Sequence, residues 1–225
     1  MKPHLPTLLL TGFEPFGGDA VNPSELVAAA LHGSVVEAGA RRARVVAQRL
    51  PCVFADARTR LAATIDELRP VAVLALGLAA GRAGLSPERV AINLVDARIA
   101  DNAGAQPRDE PVVRGGPAAY FGTLPAKAMV AAMRGAGAPA ELSLSAGSFV
   151  CNELFYGLMH QLATSGPVGC RGGFMHLPLL PAQAAGASAL RPSVALDVQV
   201  AAVAAALRAV LTNDEDVNEP GGAVA

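Results

Sequence analysis

Short apolar runs alternate with longer segments of helical period along most of the chain. The runs at 7–11, 44–50, 71–76, 90–95, 141–145 and 173–177 predict strands. Segments 24–31, 55–68, 123–134, 152–162 and 194–211 carry apolar residues at three- and four-residue spacing. Several of them open beside Ser, Thr, Asn or Pro, residue types that cap or start helices. Strands separated by helices predict an α/β fold, a sandwich of helices around a mixed, mostly parallel sheet. The stretch 96–116, rich in Asp, Asn, Pro and Gly, shows no period and is too long for a simple connection, so it is expected to be a functional or oligomer-forming loop. No repeat or linker divides the pattern. A single domain over 1–212 is predicted, followed by an acidic, mobile tail at 213–225.

Composition narrows the class. The 225 residues are 52% hydrophobic and only 16% charged, enough to bury a substantial core and unlike a disordered chain. Tryptophan is absent and alanine is abundant, which favours close helix–sheet packing through small side chains. A net charge of −1 gives no basic footprint for nucleic acid. The apolar run near the N-terminus is too short for a signal-peptide core or a membrane span, so a cytoplasmic protein without membrane association is expected. Cys52, Cys151 and Cys170 are odd in number and lack CxxC spacing, which predicts free thiols and no metal site.

The chemistry centres on Cys151. In Ser145-Ala-Gly-Ser-Phe-Val-Cys-Asn-Glu-Leu a glycine-bearing turn passes into a helical pattern, placing the thiol at a helix N-terminus, where backbone N–H groups and the macrodipole favour thiolate. Cysteine catalysis also needs a base and a group that orients the base. His176, at the end of a predicted strand, is the candidate base, because ligands of α/β sheets gather beyond the carboxyl ends of strands. His4, His32 and His160 fit less well. Glu88, in a Ser-Pro-Glu-Arg turn leading into an apolar strand, is the leading orienting carboxylate, with Asp96 as its rival. Each residue also has a structural reading: a buried small hydrophobe for Cys151, a satisfied strand-end histidine, a surface pair for Glu88 and Arg89. Thr11-Gly-Phe-Glu-Pro-Phe-Gly-Gly follows a strand but lacks the phosphate-loop pattern. Its two phenylalanines suit the walls of a small apolar pocket or, equally, two core positions flanking a turn.

These segments together resemble the pyrrolidone-carboxylate peptidases, also called pyroglutamyl-peptidase I, over almost the whole chain. The resemblance rests on Thr11-Gly-Phe-Glu-Pro-Phe-Gly-Gly with Asn22-Pro-Ser, on Gly77 to Gly81 leading to Ser86-Pro-Glu-Arg-Val-Ala-Ile-Asn and Asp96-Ala-Arg-Ile-Ala-Asp-Asn, and on the segments around Cys151 and His176. It implies a three-layer α/β/α sandwich around a twisted mixed sheet, and a homotetrameric cysteine exopeptidase, without cofactor or metal, that removes N-terminal pyroglutamate from peptides. Cys151 is then the nucleophile, His176 the general acid/base and Glu88 the orienting residue. Phe13 and Phe16 would clasp the lactam ring, Asn22 would contact it, and Arg98 would lie near the reacting carbonyl. Leu78 departs from the family, many of whose members have glutamine there, and it is the one support for an alternative in which the chain binds pyroglutamate with little turnover. A third alternative, a nucleoside phosphorylase relative, lacks its phosphate motif.

Overall fold

The computed structural model describes residues 5–186 and 190–221. A six-stranded sheet has the order β2-β3-β1-β4-β8-β5. Its members are β1 (Thr7–Phe13), β2 (Val35–Ala38), β3 (Arg41–Leu50), β4 (Ala72–Leu78), β5 (Ser86–Glu88) and β8 (Arg171–Leu177). The four inner strands β3, β1, β4 and β8 run parallel, and β2 and β5 close the edges antiparallel. A separate two-stranded sheet joins β6 (Val90–Ile92) to β7 (Ala119–Phe121).

Alternation along the inner strands builds the layers. Leu8 and Leu10, Leu74 and Leu76, and Met175 and Leu177 meet α1 (Pro23–Leu31), α3 (Ala126–Gly135) and α6 (Leu196–Thr212). The intervening Leu9, Val73, Ala75 and Phe174 meet α2 (Asp56–Leu68) and α4 (Val150–Thr164). These strands are apolar on both faces because helices cover both faces. Each buried leucine contributes roughly 1.5–3 kcal/mol, and the alternation fixes the register, since a one-residue slip would exchange the two cores. The expected α/β/α sandwich with a mixed, mostly parallel sheet is the fold observed.

Several predicted segments differ. Only Val90–Ile92 of 90–95 is a strand, and it lies in the small sheet. Segment 141–145 makes only isolated bridging contact with β5. The cause is Pro87 at the centre of β5, which lacks the N–H needed to extend a ladder. The same proline disguises β5 itself, so Glu88 stands on an edge strand paired with β8 rather than on a turn. The short strands β2 and β7 and the five-residue helix α5 (Pro181–Ala185) carry too little periodicity to be read from the chain. The described part of the segment expected to be a mobile tail is tied to the body. Asp214 pairs with Arg41 at 2.8 Å, and the Asp216 carboxylate accepts the Lys127 and Ala128 N–H groups at the start of α3. Residues 222–225 lie outside the described residues.

Candidate active site

The carboxyl ends of β1, β4 and β8 lie side by side where the strand order reverses, between β1 and β4, which is where open α/β sheets place ligands. At the end of β8, His176 is directed by alternation to the face of Phe174, toward α4. Its cross-strand neighbours are Gly77 on β4 and Ser86 on β5. Glu88, two residues along β5, therefore shares this face, and its Oε1 lies 2.7 Å from His176 Nδ1. The imidazole is 5% exposed and the glutamate 3%. A carboxylate accepts, so Nδ1 carries the proton and Nε2 remains a base. Asp96, the rival carboxylate, is exposed, and its backbone is strapped to Ser148. His32 Nδ1 accepts the Ala47 N–H, and His160 bonds Tyr120. His4 lies outside the described residues.

Cys151 is the second residue of α4, whose N-cap, Phe149, makes no side-chain capping bond. Its place over the sheet is defined by Gly77. A β-carbon added there would come 2.8 Å from Cys151 Sγ and 2.7 Å from Phe174 Cζ. The thiol thus sits directly above the strand position paired with His176, and only glycine leaves room for it. The next two residues anchor the helix. Asn152 accepts the Ile92 N–H and donates to the Ile92 and Leu94 carbonyls, while Glu153 pairs with Arg58 of α2 at 3.0 Å.

Helix position is not the one influence on the Cys151 thiol. Burial pushes the Cys151 thiol upward, Cys52 and Glu88 add to the rise, and Arg82 acts in the opposite sense. The helix N-terminus supplies unpaired N–H groups that act against this burial, and proton transfer to His176 is a further route to the thiolate. Cys52 shows the same effect without a base, being raised from the ordinary 9.0 to about 12 by burial, with Glu14 and Asp101 adding to it. The folded thiol keeps its proton where the unfolded one loses it, so this contribution to stability is present below pH 9.0 and is lost as pH rises toward about 12. The urea midpoint should therefore fall between about pH 8 and about pH 11, and should fall less steeply in a Cys52→Ala protein. Equal slopes would contradict this assignment.

The expected pocket residues divide into two groups. Phe16 is half-buried and belongs to an aromatic cluster, its ring 6.2 Å from that of Phe149, which packs edge-on against Phe54 at 5.2 Å. Phe54 and Phe149 were not singled out from the sequence, although Phe149 stands two residues before Cys151. Phe13 is 2% exposed and backs this cluster from the end of β1. Asn22 caps α1: its Oδ1 accepts from Ser24 N and Oγ, its Nδ2 donates to the Glu14 carbonyl, and it is 1% exposed. Ser24 Oγ in turn accepts the Phe13 N–H. This close approach of β1 to α1 requires Gly12, where a β-carbon would collide with the Ser24 carbonyl. Leu78, the residue after Gly77, is sent by alternation to the opposite face with Leu74 and Leu76. Arg98 is exposed and, among the described residues, forms no ion pair with Asp96 or Asp101.

The loop 96–116 helps assemble this wall. Asp101 Oδ2 accepts the Phe54 N–H, and Asn102 Nδ2 donates to Glu14 Oε1 and the Pro15 carbonyl. Asp101 and Asn102 close a motif already visible in the chain, but their partners 47 and 88 positions away are not legible from spacing.

A sequence profile of the pyroglutamyl peptidases matches residues 6–213. The chain belongs to the pyroglutamyl peptidase family. It is 53% identical over 218 residues to the pyrrolidone-carboxylate peptidase of Cupriavidus taiwanensis, covering 97% of this chain and 99% of that one. The pyrrolidone-carboxylate peptidase of Pseudomonas fluorescens is 53% identical over 217 residues, 96% of this chain and 98% of its own. The crystal structure of pyroglutamyl peptidase I from Bacillus amyloliquefaciens superposes with a TM-score of 0.90 at 41% identity, covering 97% of this chain and all of that one. The peptidase family accounts for the sandwich and for a cysteine-type hydrolase.

Proposed function

We propose that this pyroglutamyl peptidase family member is a cysteine exopeptidase that cleaves the bond after an N-terminal pyroglutamyl residue, with Cys151 as nucleophile, His176 as general acid/base and Glu88 as the residue that orients the histidine. The observation that carries the reading is the Glu88–His176 contact of 2.7 Å on the sheet face where Cys151 Sγ lies over Gly77, the cross-strand neighbour of His176. His176 Nε2 takes the thiol proton, and the thiolate attacks the pyroglutamyl carbonyl. The imidazolium then protonates the departing amine as the carbon–nitrogen bond breaks. A water, deprotonated by Nε2, attacks the thioester, releasing pyroglutamate and restoring the thiol. The oxyanion falls to first-turn N–H groups of α4, including that of Cys151, with Arg98 supplying charge from the loop.

The surroundings suit a neutral lactam. Phe16, Phe54 and Phe149, backed by Phe13, offer apolar surface to the ring methylenes. An N-terminal ammonium would lose hydration against these aromatic faces, a cost that the neutral lactam avoids. Asn22 serves by holding the Glu14 carbonyl and Ser24, leaving one amide N–H for the ring. With its side chain directed away from the thiol, Leu78 gives little support to a binding-only protein, and the named relatives are peptidases. Family resemblance extends the reading to a cytoplasmic homotetramer. No described helix is long and apolar enough to cross a membrane.

The test compares a pyroglutamyl amide with the equally sized prolyl amide, whose ring carries an ammonium. The pyroglutamyl compound should be hydrolysed about a thousandfold faster or more, and alkylation of Cys151 should abolish the activity. Equal hydrolysis would remove the pocket assignment, and saturable pyroglutamate binding without hydrolysis would establish the binding-only alternative.

A further inference from the structure

Glu88 presents one oxygen to two partners. Oε1 meets His176 Nδ1 at 2.7 Å and also accepts from Arg82 Nη2 at 2.8 Å, while Oε2 is buried with no hydrogen-bond partner. The glutamate side chain is fully buried and that of Arg82 is 22% exposed, and among the described residues the guanidinium is the cation paired with this carboxylate beside the imidazole contact. Arg82 itself is well placed. It ends the turn that leaves β4, its N–H bonded to the Ala79 carbonyl, and Ala79 N–H continues the sheet by donating to Leu177. The same Nη2 also donates to the Ser145 carbonyl at 3.0 Å. Ser145 begins the loop that runs through Gly147 and Phe149 into Cys151.

We infer that Arg82 is a positioning residue of the catalytic centre: one guanidinium nitrogen fixes both the carboxylate that orients His176 and the loop that delivers Cys151. This rests on the Cys151–His176–Glu88 reading proposed above. Arg82 acts in two ways. By occupying Oε1 together with the imidazole, it stops the carboxylate rotating to offer Oε2 and so keeps Nδ1–H aligned. By placing a positive charge against Glu88, it offsets the field of that carboxylate at the sulfur. The groups facing the thiol are Cys52 from the chain after β3, Glu88 from β5, His176 from β8 and Arg82 from the turn after β4. Of these, Cys52 stays an uncharged thiol well below pH 12, Glu88 opposes thiolate and Arg82 favours it. Removing the cation therefore moves thiolate formation to higher pH.

The experiment uses Arg82→Gln and Arg82→Lys in the full chain, with two readouts: kcat and KM for a pyroglutamyl amide, and the pH dependence of Cys151 alkylation by iodoacetamide. Arg82→Gln is expected to lower kcat about tenfold to a hundredfold with KM within about twofold, and to move the alkylation midpoint up by about one pH unit. Arg82→Lys, which keeps the charge but not the planar donor, should keep the midpoint within about 0.3 unit and recover part of kcat. An unshifted midpoint in Arg82→Gln overturns the inference, as does an equal loss of kcat in both variants. Should Arg82→Gln fail to fold, a midpoint shift of a full unit in Arg82→Lys overturns it alone. Glu88→Gln measured in parallel separates the two levels: loss there with normal Arg82 variants leaves the triad standing and removes Arg82 from it, whereas a fully active Glu88→Gln removes the triad reading itself.

Discussion

A Cys151→Ser protein is expected to keep its fold and to lose pyroglutamyl amide hydrolysis by about four orders of magnitude or more. A hydroxyl is far harder to deprotonate than a thiol, and His176 faces that harder task from a position set for sulfur, directly above Gly77. Stability should change by less than about 1 kcal/mol, because the substitution removes no methylene and leaves the helix anchors Asn152 and Glu153 untouched. Kinetics together with thermal denaturation check this. A Cys151→Ser protein with wild-type turnover would transfer the nucleophilic role elsewhere. An inactive protein that is also unfolded would make the loss structural.

Glu88→Gln is expected to reduce kcat by about a hundredfold to ten-thousandfold with a smaller change in KM. The amide matches the carboxylate in shape, so packing against Phe174 and β8 is kept, but it brings no negative charge to the imidazolium that forms during attack. Its oxygen can still accept from Nδ1. Its NH2 group, turned toward His176 instead, would stabilise the wrong tautomer and place a proton on Nε2. Arg82, 22% exposed, retains the Ser145 carbonyl, but the carboxylate it pairs with is fully buried, so losing that charge also lowers stability, which thermal denaturation alongside the kinetics would register. Steady-state kinetics across pH decide this, and kcat within twofold of wild type would remove Glu88 from catalysis.

Much of the layered fold was legible because β1, β4 and β8 are buried on both faces and read as continuous apolar runs, while α2, α4 and α6 keep their period over three or more turns. Cys151, His176 and Glu88 were singled out from chemistry and motif, and the structure brings Glu88, already the leading carboxylate, rather than Asp96 to His176 through the register of β5 on β8, a relation that spans 88 positions. β5 was hidden by Pro87, and for the same reason 141–145 does not complete a ladder. Arg82 was invisible as a partner because its guanidinium crosses from one turn to the carboxylate on β5 and to a loop 63 positions away. That Asn22 caps α1 and that Leu78 follows strand alternation to the far face became visible only in three dimensions. The chain displays the helix N-terminus beneath Cys151 but not the burial that pushes its thiol in the opposite direction.

In the proposed mechanism the acyl group passes through the Cys151 sulfur. Acid quenching of the 225-residue chain during turnover of a pyroglutamyl ester, followed by peptide mass mapping, tests this at the sulfur itself. A single pyroglutamyl adduct, labile to hydroxylamine as a thioester is, is expected on the peptide containing Cys151 and not on those containing Cys52 and Cys170. Product formation with no adduct on Cys151, or with the adduct on either of the other thiols, would contradict it.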